Sequence, residues 1–371
     1  MSFFFIKILD ILLRMLYILL TETIEIFLEG RNRILVSLKD ISVQCGVSIA
    51  TVSKALNNHK DVSAATKEKI HRIAKEMGYF PNSQARALKT NRTYNLGVMF
   101  LDEADSGLTH DFFSEVLNSF KKEAEYSGYD ITFINKDIGG HKMSFYEHCR
   151  YRNVDGVLIA CIDFKDPDVY EVVNGEIPVV TIDHTFDGHS CVLSDNRQGI
   201  KALFDYVYKM GHRKIALIQG NKSSVSDNRL IGFYKALSDY NIPADNNYIV
   251  SGEFHNIEMT VALTKQLINL PDPPTCIFMP DDISAVGGMR AIEECGLKIP
   301  DDISIVGYDG IRLTQFLKPP LTTYKQDTEA IGIQAARQLI ALVENQQTVF
   351  AESAVITGRL EINESVKNIK G

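Results

Sequence analysis

From residue 95 onward the chain alternates between short apolar runs and longer stretches of helical periodicity, and this alternation limits the folds open to it. Residues 95–100, 129–134, 157–160, 179–182, 215–218, 276–279 and 303–306 read as buried strands. Helical stretches at 112–127, 196–210, 227–240, 283–295 and 327–344 lie between them. Strands apolar on both faces need cover on both, so the pattern predicts an α/β body of parallel sheets layered between helices. About ten strands in roughly 270 residues divide better between two sheets than they fit into one.

Ligands of open parallel sheets bind beyond the carboxyl ends of the strands. Asp102, Asp183, Asp281-Asp282 and Asp309 stand at such ends. Each of them also suits an ordinary helix cap, and only their accumulation points to a site. No glycine-rich phosphate loop, P-loop lysine or nucleophile elbow follows any strand, so nucleotide-cofactor, phosphoryl-transfer and hydrolase chemistry lack their signatures. The six cysteines are scattered singly, without metal spacing to any of the nine histidines, which is the usage of a reducing cytosol. Neither a metal nor an organic cofactor is expected.

The net charge of -8 conceals an asymmetry. Residues 35–93 hold ten Lys and Arg against four Asp and Glu, whereas residues 94–371 hold 25 against 39. A small basic block on a large acidic body suggests a module for a polyanion. Within that block, Ser37 and Asp40 bracket a helix start, Gly46 supplies a tight turn, and Ser48 caps a second helix from Ile49 to about Leu56. Ile41, Val47, Val52 and Leu56 are spaced to pack the two together, leaving Ile49, Ala50, Thr51, Ser53 and Lys54 near an exposed end that can enter a major groove. A third helix runs from Ser63 to Gly78. After Pro81, a very short helix over 83–89 leads into a polar linker; one or two turns hold no helix in water, so this segment is expected to order on binding.

The first 34 residues are apolar but broken by Lys7, Asp10 and Arg14, and each mid-membrane charge costs about 2.5–3.5 kcal/mol, so no membrane span is expected. No small-residue cleavage site supports a secretory signal. The segment is expected not to belong to the working protein, translation starting near Leu35; the alternative is an amphipathic surface segment.

Leu38-Lys39-Asp40-Ile41, the run from Gly46 to Asn57, Val62-Ser63, Gly78-Tyr79, Pro81-Asn82 and Ala85-Arg86-Ala87-Leu88 resemble, in order and spacing, the headpiece and hinge of the lactose-repressor (LacI/GalR) family. The likeness continues through Gly211-His212-Arg213-Lys214, Asp227-Asn228-Arg229-Leu230-Ile231-Gly232, Pro280-Asp281-Asp282, Gly307-Tyr308-Asp309 and Pro320-Leu321-Thr322-Thr323 to Gln326-Asp327. It implies a helix-turn-helix headpiece over 35–81, a hinge over 82–93 and a periplasmic-binding-protein-like core over 94–371. That core divides into an N-subdomain of about 94–194 and 326–354 and a C-subdomain of about 195–323 and 355–371.

By this resemblance Ile49, Ala50 and Lys54 read base edges, Ser48, Thr51, Ser53 and Asn57 make base and backbone contacts, and Thr66 belongs to the same DNA-facing set. Asn82 and Ala85 flank Leu88, which wedges into the minor groove. Asp61 departs from the pattern: the family often has a basic or polar phosphate contact there, and an acid repels phosphate. Small Ser42 and Cys45 stand where alanines are usual and are compatible with packing.

Arg229, Asp309, Asp281, Asp183 and Gln326 are expected to line an effector cleft between the subdomains, with Phe254 as an aromatic platform. Arg229 with Asp309 serves equally as a structural ion pair. His110, Phe112 and Phe113 cap the ligand or begin the core face of a helix. The resemblance therefore implies a cytosolic transcriptional regulator, a homodimer on pseudo-palindromic operator DNA, with a sugar as effector and a purine or sugar phosphate as alternatives. The competing classes are an exported sugar-binding protein with the same body and a sugar-processing enzyme.

Overall fold

The computed structural model describes residues 36–56, 58–80, 87, 92–101, 107–345, 348 and 350–370. It forms two units, dividing between Arg86 and Ala87.

The first unit holds three helices, α1 (Leu38–Cys45), α2 (Ile49–Leu56) and α3 (Ala64–Glu76). Each start is capped. The Ser37 hydroxyl accepts the Asp40 N–H while the Asp40 carboxylate accepts the Ser37 N–H at 2.8 Å, a reciprocal capping box. Ser48 accepts the Thr51 N–H at 3.1 Å, and Ser63 accepts that of Thr66 at 3.2 Å. Gly46 closes α1 at φ 68°, in the left-handed region that a side chain would resist. Ile41, Cys45, Val52, Ala55, Ile70, Ile73 and Ala74 form the core, with Val47 and Leu56 packed against it. Ser42 is buried, its hydroxyl returned to the Lys39 carbonyl, so both departures from alanine pack.

The second unit contains two six-stranded sheets. In chain order it comprises β1 (Asn95–Phe100), α4 (Asp111–Tyr126), β2 (Asp130–Phe133), a small hairpin of β3 (Asp137–Ile138) and β4 (His141–Lys142), α5 (Phe145–Arg152), β5 (Gly156–Ala160), α6 (Pro167–Val173), β6 (Val179–Ile182) and β7 (Ser190–Ser194). The chain then continues through α7 (Asn196–Lys209), β8 (Ile215–Gln219), α8 (Ser224–Asp239), β9 (Ile249–Ser251), α9 (Ile257–Ile268), β10 (Cys276–Phe278), α10 (Asp282–Glu294), β11 (Ser304–Asp309) and β12 (Thr322–Lys325). It ends with α11 (Thr328–Glu344), β13 (Ser353–Ile356) and β14 (Arg359–Glu361). The first sheet has the order β13-β7-β6-β5-β1-β2 and the second β14-β12-β11-β10-β8-β9. All neighbours are parallel except β12 and β14.

Strand alternation explains the layering. Leu96, Val98 and Phe100 of β1 join Leu158 and Ala160 of β5 on one face, while Met99, Val157 and Ile159 point to the other. Both faces are apolar because helices cover both. Since β12 lies in the second sheet and β13 in the first, the chain crosses between subdomains near Asp195, after Lys325 and after Ile356, the second crossing meeting the expected restart at 326 and the third falling two residues beyond the expected 354. Asp195 donates its N–H to the Ile356 carbonyl at 2.9 Å, tying two crossings together. Helix α8 starts at Ser224 rather than at Asp227 because Ser223 caps it.

Helix α11 lies against α4, and a Cβ on Gly332 would stand 2.3 Å from the Val116 carbonyl oxygen. Because that obstacle is backbone, Gly332→Ala should lower the stability of the core by about 1–3 kcal/mol, read as a shift of the urea midpoint at unchanged slope.

Candidate functional site

In the first unit, α2 buries Val52 and Ala55 and turns Ile49, Ala50 and Lys54 outward. Ile49 with Ser53 and Ala50 with Lys54 are spaced one helical turn apart, so the four share a face. Ser48 and Thr51 bond each other through their hydroxyls at 2.8 Å as well as through the cap, and Ser63 and Thr66 repeat the arrangement at 2.8 Å on α3. The Lys54 ammonium meets the Asp61 carboxylate at 2.5 Å across the loop that follows α2, and this ion pair holds the Asp61 carboxyl below its usual range. Asn57, Asn82, Ala85, Leu88 and Asp102 lie outside the described residues, as do the segment 1–34 and all of the expected 83–89 helix except Ala87.

In the second unit the expected cleft residues gather at the carboxyl ends of the strands. Arg229, on α8, is buried with every nitrogen engaged. Nε donates to Asn196 Oδ1 at 2.8 Å, Nη1 to the Pro280 carbonyl at 2.7 Å and Nη2 to Asp309 Oδ1 at 3.5 Å. Its guanidinium carbon lies 3.6 Å over the Tyr308 ring and 5.4 Å from the centroid of Phe254. Asp309 ends β11 at φ 104° and also accepts Gln326 Nε2 at 2.8 Å. Burial pushes the Asp309 carboxyl up to about 6, against the opposing pull of Arg229. Gln326 Oε1 is buried with no hydrogen-bond partner among the described residues.

Two other expected ligand carboxylates are committed to the fold. Asp183, at φ 56°, accepts the Ser194 N–H at 2.7 Å and its hydroxyl at 3.1 Å, and burial raises its pKa. Its backbone carbonyl accepts the Ser224 hydroxyl at 2.7 Å, a bond between the two subdomains. Asp281 caps α10 through Ser284 and accepts the His255 N–H at 2.9 Å, so it positions the loop that carries Phe254. Phe254 lies against Gly220, where a Cβ would come within 2.2 Å of the ring. Beside it a cavity of about 10 Å³ is lined by Ser226, Arg229 and Pro280.

Phe112 is buried in the core of the first sheet, so of the two readings its ring takes the packing one. Phe113 packs on that core and touches Phe100 and His110, with centroids at 5.6 and 5.1 Å. His110 caps α4 through Nδ1 and faces His255 of the other subdomain at 4.3 Å. His255, Asn196 and Asn221, which accepts the Phe254 N–H at 2.8 Å, are missing from the sequence-based set. His255 and Asn221 lie between regular elements, where no period marks them, whereas Asn196 opens the buried stripe of α7. His184, stacked on Phe164 at 4.1 Å, is likewise absent, although it directly follows Asp183.

Among the described residues no group of three or more His, Cys, Asp and Glu is placed to hold a metal ion, and no helix is long and apolar enough to cross a membrane. Residues 37–82 match the model for bacterial regulatory proteins of the lacI family, and residues 204–366 match a periplasmic binding protein-like domain. The chain is 30% identical over 339 residues to the probable HTH-type transcriptional repressor ExuR of Bacillus subtilis, spanning 90% of this chain and 99% of that protein. It is 32% identical over 345 residues to the ribose operon repressor of Haemophilus influenzae, spanning 90% and 99%. The lac repressor dimer bound to operator and an anti-inducer superposes with a TM-score of 0.73 at 27% identity, over 90% of this chain and 99% of that one.

Asp309 supplies a pH test. Its folded pKa is raised, so its favourable contribution is complete below about pH 4 and is lost as the pH rises through about 6. The stability of wild type minus that of Asp309→Asn should therefore decline across this window by about 1–3 kcal/mol in urea titrations; a flat difference contradicts the burial of an ionisable carboxyl here.

Proposed function

The chain belongs to the lacI family of bacterial regulatory proteins, and we propose that this member is a repressor that binds a pseudo-palindromic operator as a homodimer and answers to a sugar held between its core subdomains. That it is a DNA-binding transcriptional regulator with a small-molecule effector follows from the family. The operator, the sugar and the dimer are the proposal.

On this reading the face of Ile49, Ala50, Ser53 and Lys54 enters the major groove. Ile49 and Ala50 have no side-chain donors and meet thymine methyls, while the Lys54 ammonium donates to guanine O6 and N7. Ser48, Thr51, Asn57 and Thr66 contact the backbone around it, and Asn82, Ala85 and Leu88 engage the minor groove. The basic count of residues 35–93 supplies the phosphate attraction, and the regulator works in the cytosol, where such DNA lies.

The observation that carries the effector reading is the junction of Arg229, Asp309 and Gln326 at the base of the cleft. Vicinal hydroxyls are donor–acceptor pairs, and a planar guanidinium, a carboxylate and an amide oxygen lacking a donor suit them, with the Phe254 ring beside Arg229 to cover a C–H face. A bound sugar acts on DNA only through its different affinity for the open and closed cleft. Asp183, Asp281, His110 and Phe113 act from the margin of this site, holding its walls and the contact between subdomains.

A thermal-shift screen of sugars, sugar phosphates and purines tests the effector class. A sugar at 100 times its dissociation constant should stabilise the core by about 2.7 kcal/mol. A shift given by purines alone removes the sugar assignment. Leu88→Ala should weaken binding to a duplex enriched by the wild-type chain from a random pool by about tenfold or more and leave the sugar shift intact, while Arg229→Ala should abolish the sugar shift and leave DNA binding measurable. Equal loss of both activities in either variant contradicts this division of labour.

A further inference from the structure

Resting on the assignment of α2 as the DNA-reading helix, we propose that Asp61 is a specificity-determining residue that acts by positioning Lys54. The two are seven residues apart, Lys54 in the last turn of α2 and Asp61 in the loop leading to α3, and their charged atoms meet at 2.5 Å. Both side chains are about half exposed, at 51% and 53%, so the pair stands at the surface that α2 presents.

A free lysine is a poor reader of bases, because its four-carbon stem samples many rotamers and its ammonium is attracted equally to any phosphate. An ammonium carries three donors. With one N–H given to Asp61, two remain, and guanine presents two acceptors, O6 and N7, on its major-groove edge. Asp61 thus does three things. It fixes the direction of the Lys54 stem before DNA arrives, it leaves the number of donors that guanine needs, and it places a negative charge where a backbone phosphate would otherwise take the lysine. The first two favour the correct base, and the third disfavours every sequence alike. The acid that looks unsuited to DNA by charge alone then serves discrimination: it lowers affinity for random duplex more than for the operator.

Three cations of α3 are engaged within the headpiece itself. Lys67 donates to the Asn58 carbonyl at 3.1 Å and Lys69 to the Cys45 carbonyl at 3.1 Å, so both hold the turns of the headpiece. Arg72 pairs with Glu76 within α3 at 3.4 Å. Among the described residues, of the cations on α1, α2 and α3 that pair with an acid, Lys54 is the one that pairs across a loop and from the reading face.

The test is in vitro selection from a randomised duplex pool with the full chain, as wild type, Asp61→Asn and Lys54→Ala, followed by titration of each with the wild-type consensus and with the unselected pool. Asn keeps the size of Asp61 and removes its charge; matching thermal midpoints verify that the headpiece stays folded. Asp61→Asn is expected to bind the unselected pool about three- to tenfold tighter and with a steeper salt dependence, since a phosphate contact is gained. It is also expected to relax the consensus at one base pair per half-site, the same pair that Lys54→Ala relaxes, with preference there falling about fivefold or more. An Asp61→Asn consensus identical to wild type at every position overturns the proposal, as does relaxation at a pair that Lys54→Ala leaves intact. If the wild type enriches no sequence, the assignment of α2 as a reading helix falls, and this inference with it.

Discussion

A guanidinium taken out of water must have its donors satisfied, and that requirement organises the core of this regulator. Arg229 reaches Asn196 at the start of α7, the carbonyl of Pro280 before α10 and Asp309 at the end of β11, with Tyr308 beneath it. Removing any one partner would leave charge or a donor unpaired in a buried place, where the cost is several times that of a surface contact. Three separate strand ends are therefore held in register by one side chain. Asp309 then extends the network to Gln326, which lies beside the crossing into α11. A change in what Asp309 and Gln326 bond to is felt directly where the two subdomains are joined.

Among the described residues, the subdomains meet at the cleft through polar and aromatic contacts, Ser224 on the Asp183 carbonyl and His110 against His255. By contrast each sheet has apolar cover on both faces. Packed layers of that kind resist deformation, whereas a few hydrogen bonds of about 0.5–1.5 kcal/mol each can be exchanged for bonds to a ligand. The architecture thus concentrates its compliance at the cleft and its crossings. A small-molecule effector with differential affinity for two arrangements of rigid layers is sufficient to shift their balance.

The sequence disclosed those layers because buried parallel strands are apolar on both sides; β1 and β5 could hardly be anything else. Strand β12 escaped notice because two of its three buried residues are polar, Thr323 donating to Asp282 at 2.7 Å and the Thr322 N–H reaching Ser365 at 2.9 Å, partners far away in the chain, and only Tyr324 joins the apolar core. Strand β13 escaped because half of its residues are exposed. At the site, Arg229 and Asp309 were legible through the motifs around them. The roles of Asp183 and Asp281 were not, since a strand-end aspartate reads the same whether it faces a ligand or caps a helix, and only the positions of Ser194 and Ser284 decide. His255 and the partnership of Lys54 with Asp61 depend on how loops close, for which local periodicity carries no signal.

The central claim is that the cleft and the DNA-reading face are energetically coupled, and linkage provides its most direct measurement. With a sugar that stabilises the core and a duplex enriched by selection, the dissociation constant of each is determined in the absence and in the saturating presence of the other. The account predicts that both constants change by the same factor, between about 5 and 150 for a coupling of ordinary size. Two constants unaffected by the partner ligand, each binding otherwise intact, would contradict it.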